Sequence, residues 1–212
     1  MGNAELLFWI RARGEASERV LKAFEKFKRE YFVPVEYKDQ AYVDFPIPIG
    51  FGQTVSQPSL VAFMTEKLDV QPGMKVLEIG AGSGWQAAIL AELVKPKGEV
   101  FTVERIQQLF DIARANTARF KLKNLKFICT DGSKGYAKEA PFDRIMVTAA
   151  APAIPKPLFD QLKQGGKMII PVGTSFYQDV LLVQKVKGKP VIDVLMPVQF
   201  VPLIGEHGYR EL

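Results

Sequence analysis

From Lys75 onward the chain repeats one arrangement: a short apolar or β-branched run, a stretch with helical spacing, then another short run. "KVLEI" gives way to "WQAAILAELV", then "EVFTV", then a helical pattern from Ile106 to about Phe120. Further short runs follow at Leu125 to Cys129, Phe142 to Val147 and Lys167 to Pro171, with a helix predicted around Pro157 to Leu162. Strands and helices alternating at these lengths bury their apolar faces as a parallel sheet covered by helices, because each parallel pair needs a crossover. The predicted class is therefore α/β with a mostly parallel sheet. Beyond Gly173 the pattern changes to "DVLLVQKVKGKPVIDVLMPVQFVPL". This reads as two extended stretches joined by Lys187-Gly188-Lys189-Pro190, an antiparallel pair closing one sheet edge.

The first run of the series meets a distinctive loop. "VLEI" passes into Gly80-Ala81-Gly82-Ser83-Gly84 and straight on into a helix. Backbone amides at a helix N-terminus then sit at the carboxyl end of a strand, the ligand position of a Rossmann-like, doubly wound sheet. A dinucleotide fingerprint would want glycine where this chain has Trp85, and the bulky ring is awkward beside a pyrophosphate. S-adenosylmethionine carries no phosphate, so its amino-acid end can approach a small-residue loop, and Glu78 would suit its ammonium. Glu104 closes the next strand about 20 residues on, where an acidic side chain accepts ribose hydroxyls in either kind of nucleotide site. Asp131-Gly132 ends the third strand, with a carboxylate suited to the adenine amino group or to a neighbouring backbone turn. Singly these are an ion pair with Arg105, a plain turn and tight packing; together they point to a cofactor site.

The N-terminal part is different. Arg11 to Arg29 holds much of the basic charge, with Glu15, Glu18 and Glu25 interspersed and Val20, Leu21, Phe24 and Phe27 at helical spacing. That predicts one amphipathic helix with a solvated charged face, a nucleic-acid surface being the alternative. Between Tyr31 and Pro58, Pro34, Pro46 and Pro48 with Gly50 and Gly52 rule out regular helix, and the aromatic content argues against a flexible linker. An ordered helical and irregular cap is predicted. Pro58 suits the first turn of a helix whose apolar stripe is Leu60, Val61, Met64 and Leu68, ending at Gln71-Pro72-Gly73.

Composition closes off several classes. With 212 residues, 48% hydrophobic and 24% charged, the chain is neither disordered nor disulfide-stapled. The longest nearly apolar run, Ile145 to Pro155, falls short of the roughly 18 residues that a membrane span requires. Met1 to Ile10 lacks the pattern of a secretory signal, so a cytoplasmic location is predicted. A single cysteine, Cys129, and a single histidine, His207, leave no structural zinc site, and Cys129 reads as a core residue of its apolar strand. The net charge of +5 permits attraction to phosphate backbones without indicating it.

The segments "AYVDFPIPIGFGQTVSQPSLVAFM", "VLEIGAGSGWQAAILAEL", "TDGSKG", "APFDRIMVTAAAPAIPKPLFDQLKQGGKMIIPVG" and "FVPL" together resemble the protein-L-isoaspartate O-methyltransferase family, in the family's order and spacing. The resemblance covers most of the chain. It implies a single methyltransferase domain over 1–212, with a cap and substrate loop at 1–58, a cofactor-binding core at 59–173 and C-terminal antiparallel strands at 174–212. It also implies methyl transfer from S-adenosyl-L-methionine, leaving S-adenosyl-L-homocysteine, to the α-carboxyl of isoaspartyl residues in damaged proteins and peptides. The ester then closes to a succinimide whose hydrolysis returns part of it to aspartate.

In that reading Ser56 is the catalytic, carboxylate-orienting hydroxyl, with Thr54, Val55 and Gln57 holding substrate. Glu78, Gly80, Ala81, Gly82, Ser83, Gly84, Trp85, Glu104, Arg105, Asp131 and Gly132 form the cofactor site, and no metal is implied. Helix capping ahead of Pro58 is the structural alternative for Thr54 and Ser56. The loop "GFGQTVSQP" holds no acid or base, and none is needed, because a substrate α-carboxyl with a reference pKa of about 3.5 is already ionised at neutral pH. Gln57, Ser59, Trp85 and Thr130 depart from the family's usual residues. A nucleic-acid methyltransferase is the first rival, disfavoured because Thr148-Ala149-Ala150-Ala151-Pro152 stands where an exocyclic-amine methylase carries its Asn/Asp-Pro-Pro-aromatic segment. A non-enzymatic cofactor-binding module is the second. Neither nucleic acid nor membrane is expected as a partner.

Overall fold

The computed structural model describes residues 2–210, so Met1, Glu211 and Leu212 of the expected domain lie outside the described residues. The N-terminal part holds helices α1 (Asn3–Ala12) and α2 (Glu18–Lys26), two short 3-10 turns, and a hairpin of β1 (Ile47–Gly50) and β2 (Gln53–Val55). Helix α3 (Pro58–Leu68) leads into β3 (Lys75–Ile79), α4 (Trp85–Leu93), β4 (Glu99–Glu104), α5 (Gln107–Ala118) and β5 (Leu125–Cys129). The chain then runs through β6 (Phe142–Val147), α6 (Lys156–Asp160), β7 (Leu162–Gly173), β8 (Gln178–Val186) and β9 (Lys189–Val198). No helix among the described residues is long and apolar enough to cross a membrane.

The seven-stranded sheet has the order β5-β4-β3-β6-β7-β8-β9. From β3 the chain builds outward to β4 and β5, then crosses back to lay β6 against the other side of β3; these pairs and β6–β7 are parallel. That reversal opens a crevice beyond the carboxyl ends of β3 and β6. Strands β8 and β9 complete the edge antiparallel, as the sequence predicted. Their turn needs positive φ at both central residues, supplied by Lys187 (50°) and Gly188 (75°).

Helix α4 has no polar face: Trp85 to Ala91 and Leu93 are all buried. A helix apolar all round must be covered on both sides. The sheet covers one side and the N-terminal segment the other, where Phe24 of α2 meets Trp85 edge to face at 5.0 Å. Residues of α1, α2, the hairpin, α3, α4 and strands β3, β4 and β6 accordingly share one hydrophobic cluster.

Three expectations are corrected. The basic stretch from Arg11 to Arg29 is not one helix: α1 ends at Ala12, Gly14 turns left-handed at φ 65°, and Ser17 is extended before α2. Glu18 in the second helix pairs with Arg11 in the first across that break. Nor is Arg29 on a solvated face, because it lies past the end of α2 and is 1% exposed. Cys129 is exposed, since β5 is an edge strand and Cys129 its last residue. The helix expected at Pro157 to Leu162 ends at Asp160, and β7 begins at Leu162, with a register irregularity around Gly165-Gly166 that lengthens it beyond the predicted strand.

Candidate functional site

The glycine loop sits in the crevice because its backbone adopts conformations closed to most residues. Gly80 (φ 95°), Gly82 (φ 52°) and Gly84 (φ 85°) are all left-handed. Gly80 and Gly82 face open space lined also by Ile79, Val103, Glu104, Arg105 and Gly132. Gly84 serves packing instead, since a Cβ there would lie 3.0 Å from the Ala113 carbonyl of α5. Ala81 and Ser83 border the adjoining space toward the hairpin, and Asn116 Nδ2 donates to the Ser83 carbonyl at 3.0 Å.

Carboxylates end three adjacent strands and do three different things. Glu104 holds the loop to the end of β4: Oε2 accepts from Gly82 N–H at 3.0 Å, and Oε1 accepts from Arg105 and Ile106 N–H at 2.9 and 3.0 Å. Glu104 also lines the cleft. Asp131 serves the backbone-turn alternative. Its Oδ1 accepts from Ser133 N–H and Oγ, and its Oδ2 accepts from Glu206 N–H at 2.9 Å. Burial opposes ionisation there, but these hydrogen bonds outweigh it and hold the carboxyl below its usual range.

Glu78 differs from its expected role beside a cofactor ammonium. Its side chain is fully enclosed, Oε2 accepts from Thr102 Oγ1 at 2.5 Å on the register-paired residue of β4, and Oε1 has no partner. Burial pushes its carboxyl up to about 8, aided by the charge of Glu104 and opposed by the Thr102 hydroxyl, so it is neutral at pH 7. Trp85 is likewise turned to structural use: Nε1 donates to the Phe27 carbonyl at 2.7 Å, although the residue borders the cleft.

The stretch read as a loop is the β1–β2 hairpin, turned by Phe51 (φ 53°) and Gly52 (φ 69°). It stands over the glycine loop, and Thr54 borders the cleft along its whole length while Ser56 borders its outer two parts. Neither hydroxyl caps α3. Gln57 is the N-cap residue and makes no capping bond, while Asp44 Oδ1 takes the Ser59 N–H at 2.8 Å. Gln57 Nε2 donates to Ser59 Oγ at 3.0 Å, so two residues that depart from the family pattern are bonded to each other.

Two sets of cleft residues escaped the sequence reading. Thr148, at the end of β6, borders every part of the cleft, and its Oγ1 lies 3.0 and 2.8 Å from the carbonyls of Ile79 and Gly80. Val201 to Ile204 form the opposite wall, tied to Ala150 through Ala150 N–H to Val201 O and Leu203 N–H to Ala150 O. The space beside the glycine loop amounts to about 600 Å³ when the part open to solvent is counted. Glycines that leave the cleft open, a carboxylate at a strand end and apolar walls fit a nucleoside-bearing cofactor.

A family model, protein-L-isoaspartate(D-aspartate) O-methyltransferase, matches residues 1–208. The protein-L-isoaspartate O-methyltransferase of Methanopyrus kandleri is 53% identical over 92% of this chain and 87% of its own. That of Methanothrix thermoacetophila is 50% identical over 94% of both. Among solved structures, a chain from Plasmodium falciparum assigned to the same enzyme and complexed with S-adenosyl-L-homocysteine superposes with a TM-score of 0.87. It is 27% identical, and the match covers 96% of this chain and 99% of that one.

Proposed function

The chain belongs to the protein-L-isoaspartate O-methyltransferase family and is an S-adenosylmethionine-dependent carboxyl methyltransferase of protein repair, and we propose that Ser56 is its catalytic hydroxyl, orienting the α-carboxylate of an L-isoaspartyl residue. The observation that carries this is the hairpin's position: Thr54 and Ser56 face the same cleft as Gly80 and Gly82.

S-adenosylmethionine, when bound, supplies an electrophilic methyl group. Gly80, Gly82 and Glu104 would hold it, with Gly132 and Leu203 against its apolar part. The substrate carboxylate is ionised without help, so the chain's task is to aim it and to exclude water. Ser56 Oγ–H donates to one carboxylate oxygen and leaves the other to attack. Thr54 and the Val55 backbone hold the neighbouring peptide. Bringing a carboxylate to a sulfonium partly neutralises both charges, so a dry apolar wall favours the reaction more than an added ion would. Phe200 and Val201 supply that wall where the cleft borders Thr54 and Ser56. Away from the enzyme the neighbouring backbone amide nitrogen then attacks the ester carbonyl, and methanol leaves as the succinimide closes.

The substrate is an isoaspartyl residue in a flexible or unfolded protein segment, and the enzyme works in the cytoplasm on proteins rather than on nucleic acid. Supporting that choice, Thr148 and Ala149 stand at the cleft where an amine-methylating enzyme would need its polar segment, and Cys129 lies on the far edge strand. Ser56→Ala tests the assignment. Losing one hydrogen bond to a charged group costs about 1.5–3 kcal/mol, or roughly 10- to 100-fold in transfer to an isoaspartyl peptide. Affinity for S-adenosylhomocysteine should be unchanged, and full transfer by the variant would remove Ser56 from the mechanism.

A further inference from the structure

Arg29 is among the largest fully buried side chains of the protein, and it has no carboxylate in salt-bridge range among the described residues. Its guanidinium donates to backbone carbonyls instead. Nη1 reaches Ala41 O at 3.0 Å and Val43 O at 3.3 Å; Nη2 reaches Phe45 O at 2.9 Å, Val55 O at 3.3 Å and Ser56 O at 3.0 Å. The indole of Trp85 lies 5.5 Å from the guanidinium carbon. Burying a charge on neutral partners is costly unless the donors are satisfied, and here Nε has no acceptor. Desolvation lowers the group to about 10 against the opposing charge of nearby Asp44, which leaves it cationic at neutral pH. A structural knot could be built from neutral groups at less cost. The use of a cation whose planar fork addresses five separate carbonyls calls for a reason in what those carbonyls belong to.

Two of them flank the proposed catalytic residue. A trans peptide holds C=O and N–H on opposite sides of one plane. Fixing the carbonyls of Val55 and Ser56 on the guanidinium therefore fixes both peptide planes around Ser56, turns the Ser56 N–H away from Arg29, and sets the Cα–Cβ direction of Ser56. Val55 and Ser56 both border the cleft. The other three carbonyls belong to the 41–45 segment, so the same side chain fastens the hairpin to the cap. Asp44, in that segment, fixes the start of α3 through Ser59.

Resting on the assignment of Ser56 above, we propose that Arg29 is the positioning residue of the methyl-transfer site: it sets the Ser56 hydroxyl in its reactive direction before either ligand arrives. It touches no reacting atom and acts through the backbone of residues 55 and 56.

The test is a double-mutant cycle of Arg29→Lys and Ser56→Ala, assayed with isoaspartyl peptide and normalised to calorimetric S-adenosylhomocysteine sites so that only folded protein is counted. Lysine keeps the charge and loses the fork. Displacement of a reacting group by an ångström costs on the order of a hundredfold, so Arg29→Lys should lower kcat/KM for peptide by about that factor, with a raised peptide KM and unchanged S-adenosylhomocysteine affinity. In the Ser56→Ala background the same change should cost only a few-fold. An equal loss in both backgrounds overturns the proposal and leaves Ser56 standing. Full activity of Ser56→Ala alone overturns the assignment on which it rests. Should Arg29→Lys hold no S-adenosylhomocysteine, Arg29→Ala is assayed with added guanidinium ion. Rescue of transfer when Ser56 is present, and none in the Ser56→Ala background, supports the proposal; rescue of cofactor binding without transfer overturns it.

Discussion

Replacing Glu78 by glutamine removes a carboxyl that the sheet holds in its neutral form. The side chain is fully enclosed between β3 and β4, with one oxygen on Thr102 and the other unpartnered. Its folded value of about 8 stands above the ordinary 4.5. Below pH 4.5 both folded and unfolded chains hold the proton, and the group is neutral to stability. Between 4.5 and 8 only the folded chain holds it, so stability falls as pH rises, by about 1.4 kcal/mol per unit. Above 8 both states are ionised and the loss is complete, roughly 5 kcal/mol in all. Relaxation around the ionised group makes that figure an upper bound. Glutamine has nearly the same shape, retains an acceptor for Thr102 and does not titrate. Urea unfolding of both proteins at about pH 5, 6.5 and 8 should therefore give stabilities that diverge in favour of Glu78→Gln as pH rises, by several kcal/mol across that range. The difference between the two proteins cancels the other titrating groups they share. Parallel pH dependences would mean that Glu78 ionises in the fold at its ordinary value and that its burial has been misjudged.

Two further changes probe the crevice. In Gly80→Ala the new methyl would overlap Thr148 Oγ1 and the residue would keep a φ of 95°, costing about 2–4 kcal/mol in denaturant stability. In the Thr148→Ala background the overlap is gone and only the backbone strain remains, so the cost should fall by about 1–3 kcal/mol; strictly additive costs would show that Thr148 is not the obstacle. Trp85→Phe removes the 2.7 Å bond to the buried Phe27 carbonyl and should lower stability by about 1–3 kcal/mol with S-adenosylhomocysteine affinity little changed. A large loss of that affinity at unaltered stability would return the ring to the cofactor.

The sheet was legible because its signals are local and redundant. Buried parallel strands read as short apolar runs, and the glycines between β3 and α4 mark positive φ where the chain turns from strand to helix. The antiparallel edge showed itself through Lys187-Gly188. The N-terminal segment was harder to read for a definite reason. A hairpin turn with positive φ is ordinarily written Asn-Gly or Asp-Gly, and here Phe51 occupies the left-handed position, so nothing in the residue types announced β1 and β2. Gly14 and Ser17 did mark the break between α1 and α2, but the continuous charge pattern across them masked it. Arg29 counted as one more surface cation, because no local pattern reveals that carbonyls from residues 41 to 56 will converge on it. Thr148 and Val201 to Ile204 are brought to the site by strand order and by the return of the chain after β9, which are long-range facts. Glu78 and Trp85 carry the residue types a cofactor site would use, and the sheet and the cap engage them elsewhere.

The cleft wall of Val201 to Ile204 has a consequence for the order in which the protein is made. The hairpin that faces it lies near residue 50, and the glycine loop near residue 80, so both have left the ribosome long before their counterpart is translated. Strands β3 to β7 can already pair around a core at that stage, yet the groove remains open on one side until residue 204 emerges and Leu203 N–H finds Ala150 O. A chain that stopped near residue 190 would lack this wall and would leave the groove open on that side. Closure of the cleft is thus among the last steps of assembly that the growing chain makes possible.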